Sequence, residues 1–492
     1  MYNFVKNQEI IPIVLFISFF SIWLFDIIGG QASGSFYDVA ILSIGIFLPS
    51  ILLFLGLLIK KPDSALVLFI LIFPILPSVN NLLEAIGTGL LVALVELFIS
   101  LAIYFSLQTK YKSQKFPIEI VLFSFLWAFC NFVSFLLSDM KISNLVGLIL
   151  AFTFLFLLLS ISIVVSEKRK EGINSMNKLI MSFIFSLFIF SVFASLVLFF
   201  NAGFEMFTSI FSLIRLEFSG YGYIDLNAVS GISLIALPLI FVYFFSSNTS
   251  LVGKFFLFLY ALLICLLVLI DKSRGGFLTF MTIGFLLFFT NLFSRKSKNF
   301  KASDKFLIVI LTLLFSIAFF YFASGIILAR ISGTEIGEAL TLSDILINTI
   351  VSSRGEILLL GFEKFKESPI FGNGYGTLVF VESFNAMWDS HNQVLESLIS
   401  VGLAGTLTFY FFLLYSYIRY RISAKFLSSE IRALQRNIWI SISALLVFGL
   451  TTGLNLIDVG DRVSSFPIYI YGFLVVVSLN LSNMKETKDK SI

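Results

Sequence analysis

Residues 143–165 read SNLVGLILAFTFLFLLLSISIVV, without a single Asp, Glu, Lys or Arg. A helix needs about 20 apolar residues to cross the hydrocarbon core of a bilayer, and this run supplies them without interruption. Comparable runs recur along a chain of 492 residues, of which 58% are hydrophobic and 13% charged. Soluble globular chains carry about 45 to 50% apolar and about 25% charged residues. The fold class is therefore an all-α integral membrane protein, with no room for a large soluble domain. A net charge of +4 is too weak for a nucleic-acid binder, and one His with two Cys excludes a His-rich or Cys-rich metal site. Cys130 and Cys265 fall inside different apolar runs and read as small packing residues.

Working outward from 143–165, apolar runs between polar breaks predict spans at 10–28, 39–59, 65–78, 84–106, 117–137 and 178–200. The second half adds 227–246, 255–271, 275–293, 306–329, 391–417, 437–457 and 464–483, about 14 transmembrane helices in all. The run 65–78 is short and carries Pro74 and Pro77, which also suits a re-entrant or tilted segment. Short cytoplasmic loops hold an excess of Lys and Arg. With the N-terminus inside, 24 of the 33 basic residues fall on the cytoplasmic side and nine outside. Adding or removing one span would swap the side of every later loop and spoil that contrast. Both termini are thus expected in the cytoplasm.

This topology leaves two substantial outer loops, about 201–226 and about 330–390. Arg274 stands at a span mouth in Asp271-Lys272-Ser273-Arg274-Gly275-Gly276, where the glycines allow close approach. A snorkelling interfacial Arg fits that position equally well. Arg354 opens a helix predicted to run to about Lys366 and to end at Pro369. Its Ile357, Leu358, Phe362 and Phe365 form one apolar stripe suited to a membrane surface, while Lys364 and Lys366 read as a solvated face. His391, the only imidazole, begins the next span in Trp388-Asp389-Ser390-His391-Asn392-Gln393. A lone His usually packs at an interface, yet this one faces the compartment of the Arg-bearing loops and can titrate near neutrality. Guanidiniums suited to a bidentate grip on pyrophosphate, beside one potential base, point to polyprenyl-pyrophosphate sugar chemistry.

The motifs also carry a resemblance. His391-Asn392, nine residues, then Gly402-Leu403-Ala404-Gly405 resembles the signature of the O-antigen ligase and polymerase superfamily of bacterial envelope glycosyltransferases. The preceding Pro369-Ile370-Phe371-Gly372-Asn373-Gly374 is similar to that family's Pro-x-x-Gly-x-Gly run. Ser273-Arg274 and Ser353-Arg354 resemble its Arg positions, whereas Arg215 matches less well because Leu226 replaces a Pro before Asn227. The resemblance covers about residues 215–420. It implies a catalytic His391, donor pyrophosphate binding by Arg274, Arg354 and Arg215, a lipid-linked glycan donor, and no metal, cofactor or nucleotide sugar. Asn392, Tyr375 and Trp388 are expected glycan or acceptor contacts by side-chain chemistry.

The chain then divides into 1–226, N-terminal helices and the first outer loop; 227–483, the ligase-like transmembrane region with outer loop 330–390; and 484–492, a cytoplasmic tail. The expected function is metal-independent inverting transfer of an undecaprenyl-pyrophosphate-linked glycan to lipid A-core, a glycolipid acceptor, at the periplasmic face of the bacterial inner membrane. A repeat-unit polymerase of the same superfamily is the alternative. A lipid-linked oligosaccharide flippase fits the span count, but translocation of a charged head group favours ionisable residues within spans, and only Glu96 stands out there.

Overall fold

The computed structural model describes residues 54, 56–72, 89–111, 117–138, 142–166, 169–202, 226–246, 249–271, 274–292, 354–375, 377, 379–381, 386–388, 392–452, 458–459, 463–464 and 466–483. These form α1 (Pro62–Ile72), α2 (Gly89–Lys110), α3 (Ile118–Leu137), α4 (Ile142–Val165), α5 (Arg169–Ala202), α6 (Leu226–Leu234) and α7 (Ala236–Phe245). They continue as α8 (Leu251–Asp271), α9 (Arg274–Leu292), α10 (Arg354–Glu367), α11 (Gln393–Ser423), α12 (Ser429–Thr452) and α13 (Phe466–Asn483). Two short antiparallel hairpins complete the described residues: β1 (Val379–Val381) with β2 (Ala386–Trp388), and β3 (Asp458–Val459) with β4 (Val463–Ser464).

Six of the described helices are long and apolar enough to cross a membrane, and five shorter apolar helices accompany them. Most of the expected spans coincide with helices, while 10–28, 306–329 and nearly all of 39–59 lie outside the described residues. Two spans differ in form. The run 65–78 becomes α1, whose 11 residues rise only about 16 Å at 1.5 Å per residue. The run 227–246 breaks into α6 and α7 at Ile235, because the ring of Pro238 blocks the carbonyl of Leu234, four residues back. Backbone freed inside a bilayer must find another partner, and the buried hydroxyl of Ser441 donates to the Ile235 carbonyl at 2.8 Å.

α13 and α4 form the centre. α13 is predominantly apolar and buried from Ile468 to Ser482, packing against α4, α11 and α12, as expected of a helix without a broad polar face. Its Gly472 admits the ring of Phe154 and Leu158 from α4. Glu96, buried on α2, accepts a hydrogen bond from Tyr469 of α13 at 3.0 Å. α3 shows the sorting at the periphery. Ile118, Leu122, Phe125 and Leu137 are exposed, whereas Ser124, Asn131 and Ser134 point inward beside Trp127. This inverts the pattern of a soluble helix and marks a face turned to lipid.

Helix directions sort the charges. Arg436, early in α12, donates to the Thr290 carbonyl late in α9, so these two helices are antiparallel. Arg419 of α11 reaches Asn483 at the end of α13. Lys110, at the end of α2, pairs with Asp63 at the start of α1. One end of the bundle therefore collects Lys110, Lys254 and the basic residues from 419 to 436, the side on which an excess of Lys and Arg sets orientation.

Candidate functional site

α11 is the helix on which the site is organised, and it has a built start. Asn392 adopts extended φ and ψ of −147° and 115°, and its Oδ1 accepts from the backbone N–H of Val394 and Leu395, each at 3.1 Å. Short polar side chains are favoured at an N-cap because they satisfy the orphan amides of the first turn. The small polar residue of the His-Asn motif thus has a backbone role here, rather than only the expected role at a glycan. Its Nδ2 also lies 3.4 Å from the Leu450 carbonyl, tying the start of α11 to the end of α12.

Ten residues further on, α11 breaks. Gly402 has φ 64° and ψ −170°, a combination that side chains essentially forbid. The amides and carbonyls freed by the break are taken up by the turn after α10. Asn373 N–H donates to the Ile399 carbonyl at 2.6 Å and Gly374 N–H to the Ser400 carbonyl at 3.0 Å. In return, Leu403 and Ala404 N–H donate to the carbonyls of Pro369 and Ile370, each at 2.9 Å. Ser134 of α3 adds a 2.7 Å bond to the Ser400 carbonyl. A Cβ on Gly372, at φ 77°, would lie 2.5 Å from the Ser400 backbone, and one on Gly402 would strike Ile370. The Pro-x-x-Gly-x-Gly and Gly-x-x-Gly motifs are therefore two halves of one backbone interlock.

The turn carries Tyr375 inward. Its hydroxyl donates to Asn131 Oδ1 at 2.6 Å, its ring packs on Gly147, and it is buried. Burial raises its pKa, reinforced by Cys130 and Glu396, so the phenol stays a neutral donor. Its place is in the packing that holds the turn to α3 and α4, not at an exposed glycan surface as expected. α10 likewise departs from a helix resting only on the bilayer. Ile357 is buried and Gly361 faces Leu395 and Ile399 of α11, while Leu359 and Phe362 remain exposed. Lys364 and Lys366 pair with Glu367 and Glu363 at 2.5 and 2.6 Å, in keeping with a solvated face.

The expected charged residues occupy helix starts. Arg274 is the first residue of α9 and Arg354 the first of α10. Because α9 is antiparallel to α12, whose end meets Asn392, the starts of α9 and α11 share one end of the bundle. α10 runs beside the start of α11, with Gly361 against Leu395, so Arg354 lies toward that same end. Trp388 closes β2 opposite Val379. His391 lies outside the described residues, directly before the Asn392 cap; Arg215 is outside them as well.

Sequence reading missed a polar seam beneath these residues. Gln393, Glu396, Ser397 and Ser400 are buried on one face of α11. Gln393 Oε1 accepts from Tyr471 of α13 at 3.2 Å, and the Ser400 hydroxyl faces Glu396 Oε1 at 3.5 Å. Polar residues at i, i+3, i+4 and i+7 in an apolar run are the signal that was available. Glu396 is thus a second buried carboxylate beside Glu96, within the run 391–417.

No curated protein matches the chain. Residues 256–410, which contain Arg274, Arg354, the interlocked glycines and His391, match the model of the O-antigen ligase family, and it is this region that resembles the O-antigen ligase and polymerase superfamily.

Proposed function

We propose that the chain transfers a glycan from undecaprenyl pyrophosphate to an acceptor hydroxyl at the end of the bundle where α9, α10 and α11 begin, the periplasmic face. What supports this reading is that three helix starts, two headed by Arg and one preceded by the only His, lie toward one end of the bundle. First-turn amides and their partial positive charge attract anions, which adds to the guanidiniums in holding a pyrophosphate. Arg274 and Arg354, with Arg215 from the upstream loop, would grip it bidentately and stabilise the charge that grows as it leaves.

In the reaction, the acceptor oxygen attacks the anomeric carbon and its proton passes to His391. The carbon–oxygen bond to pyrophosphate breaks, and undecaprenyl pyrophosphate departs with the electron pair. Trp388, three residues before His391 in the chain, would supply a ring for sugar stacking. Whole-glycan transfer to lipid A-core, a glycolipid, is favoured over polymerisation by the His-Asn-x9-Gly-x-x-Gly match.

The test supplies the purified protein in detergent with an undecaprenyl-pyrophosphate glycan and either lipid A-core or a second lipid-linked repeat unit. Released undecaprenyl pyrophosphate and the mass of the product distinguish ligase from polymerase. Release that survives His391→Ala removes the base assignment, and no transfer to either acceptor removes the enzyme reading in favour of translocation.

A further inference from the structure

We propose that the opposite, basic end of the bundle carries a binding site for the phosphate headgroup of an anionic phospholipid, between the end of α11 and the start of α12. Between residues 419 and 436 the chain has five cations, Arg419, Arg421, Lys425, Arg432 and Arg436, and one carboxylate, Glu430. Three of them, Arg421, Arg432 and Arg436, converge near Tyr420. Arg421 donates to the Tyr417 hydroxyl at 3.1 Å and lies over its ring at 5.9 Å. Arg432 folds back to the Leu427 carbonyl at 2.9 Å, and Arg436 reaches Thr290 at 3.2 Å. The Tyr420 hydroxyl stands within electrostatic reach of Arg436, Arg421 and Arg432 together.

Among the described residues, no carboxylate pairs with Arg419, Arg421, Lys425 or Arg432. Arg432 is half-buried and its Nε has no hydrogen-bond partner among them. Guanidiniums drawn out of water need an anion to offset desolvation. A membrane supplies one at this depth. Tyr417 and Tyr420 pack on Trp439, whose Nε1 is anchored to Ser478 at 3.0 Å, an aromatic group of the kind found at headgroup level. Ile418, Ile422 and Phe426 on the same stretch are exposed and apolar, so the phosphate that fits is one attached to acyl chains. This site is independent of the glycan-transfer reading, since it shares none of its residues.

The test titrates the full-length protein in detergent with phosphatidylglycerol, phosphatidylcholine or inorganic phosphate, read as bound lipid by native mass spectrometry and as a shift in Tm. Phosphatidylglycerol should bind in preference to phosphatidylcholine, and R421Q/R432Q should weaken it about 30-fold, from about tenfold per 1.4 kcal/mol and two surface charges. The charge-keeping R421K/R432K should stay within a few-fold, and K254Q, basic and at the same end on α8, should leave binding unchanged. Should the double Gln variant not fold, R421Q alone, at an exposed side chain, should cost about fivefold. Phosphatidylglycerol affinity unmoved by R421Q, equal binding of phosphatidylcholine, or the same Tm shift from inorganic phosphate would each overturn the proposal.

Discussion

α11 is two helices of opposite character joined at Gly402. Before the break, Gln393, Glu396, Ser397 and Ser400 are buried and polar, held by α10, α12 and α13. Beyond it, Leu403, Leu407, Phe411, Leu414, Ile418 and Ile422 are exposed at helical spacing, a stripe suited to face lipid. Residues 403–423 alone rise about 32 Å at 1.5 Å per residue, enough for a bilayer core of about 30 Å. The first half is therefore free of the task of spanning and carries polar residues that a lipid-facing helix could not.

Substitutions in the two halves should differ accordingly. The largest effect is expected just ahead of the first half, where His391→Ala should lower the transfer rate about 10²- to 10⁴-fold with the fold intact, read by release of undecaprenyl pyrophosphate. Arg354→Lys keeps the charge and loses the bidentate fork; it should raise KM for the lipid-linked donor about tenfold, and an unchanged KM would remove Arg354 from donor binding. Gly402→Ala forces a side chain into a forbidden conformation against Ile370. It should cost more than about 3 kcal/mol and show as lost detergent-stable protein, whereas wild-type stability would mean the break is dispensable.

Asn392→Ala should cost about 1 kcal/mol through loss of the cap, and Asn392→Ser should restore most of it. A thermal denaturation series separates that from a glycan contact, which Ser would not restore. In the second half, Leu407→Phe on the lipid stripe should change Tm and activity least, within about 0.5 kcal/mol.

Much of this was readable in the residues. Apolar runs located the helices because hydropathy is a local property, and Arg354 and Pro369 bracketed α10 for the same reason. The two glycine motifs were visible as spacing, but not as partners. Their meeting depends on backbone bonds between 369–374 and 399–404, and no side-chain pattern reports those. The break at Ile235 hides behind an apolar run that hydropathy averages smooth over, although Pro238 signals it. Tyr375 looked like a sugar-stacking ring, since an aromatic beside glycines reads the same whether it points to solvent or into Gly147. The seam of Gln393 and Glu396 was overlooked because its polar residues sit inside a run whose mean hydropathy still marks a span.

The interlock also sets an order of assembly. Synthesis delivers Ser134 first, the turn at 369–374 second and Gly402 last, so the turn leaves the ribosome before the strip of backbone that receives it exists. Its amides must find water until α11 is made, and the break in α11 cannot be sealed until the turn is already in place. Insertion of α11 is then the event that closes the end of the bundle where α9, α10 and α11 begin, and a nascent chain halted before Gly402 would hold every proposed substrate-binding Arg yet lack a finished site.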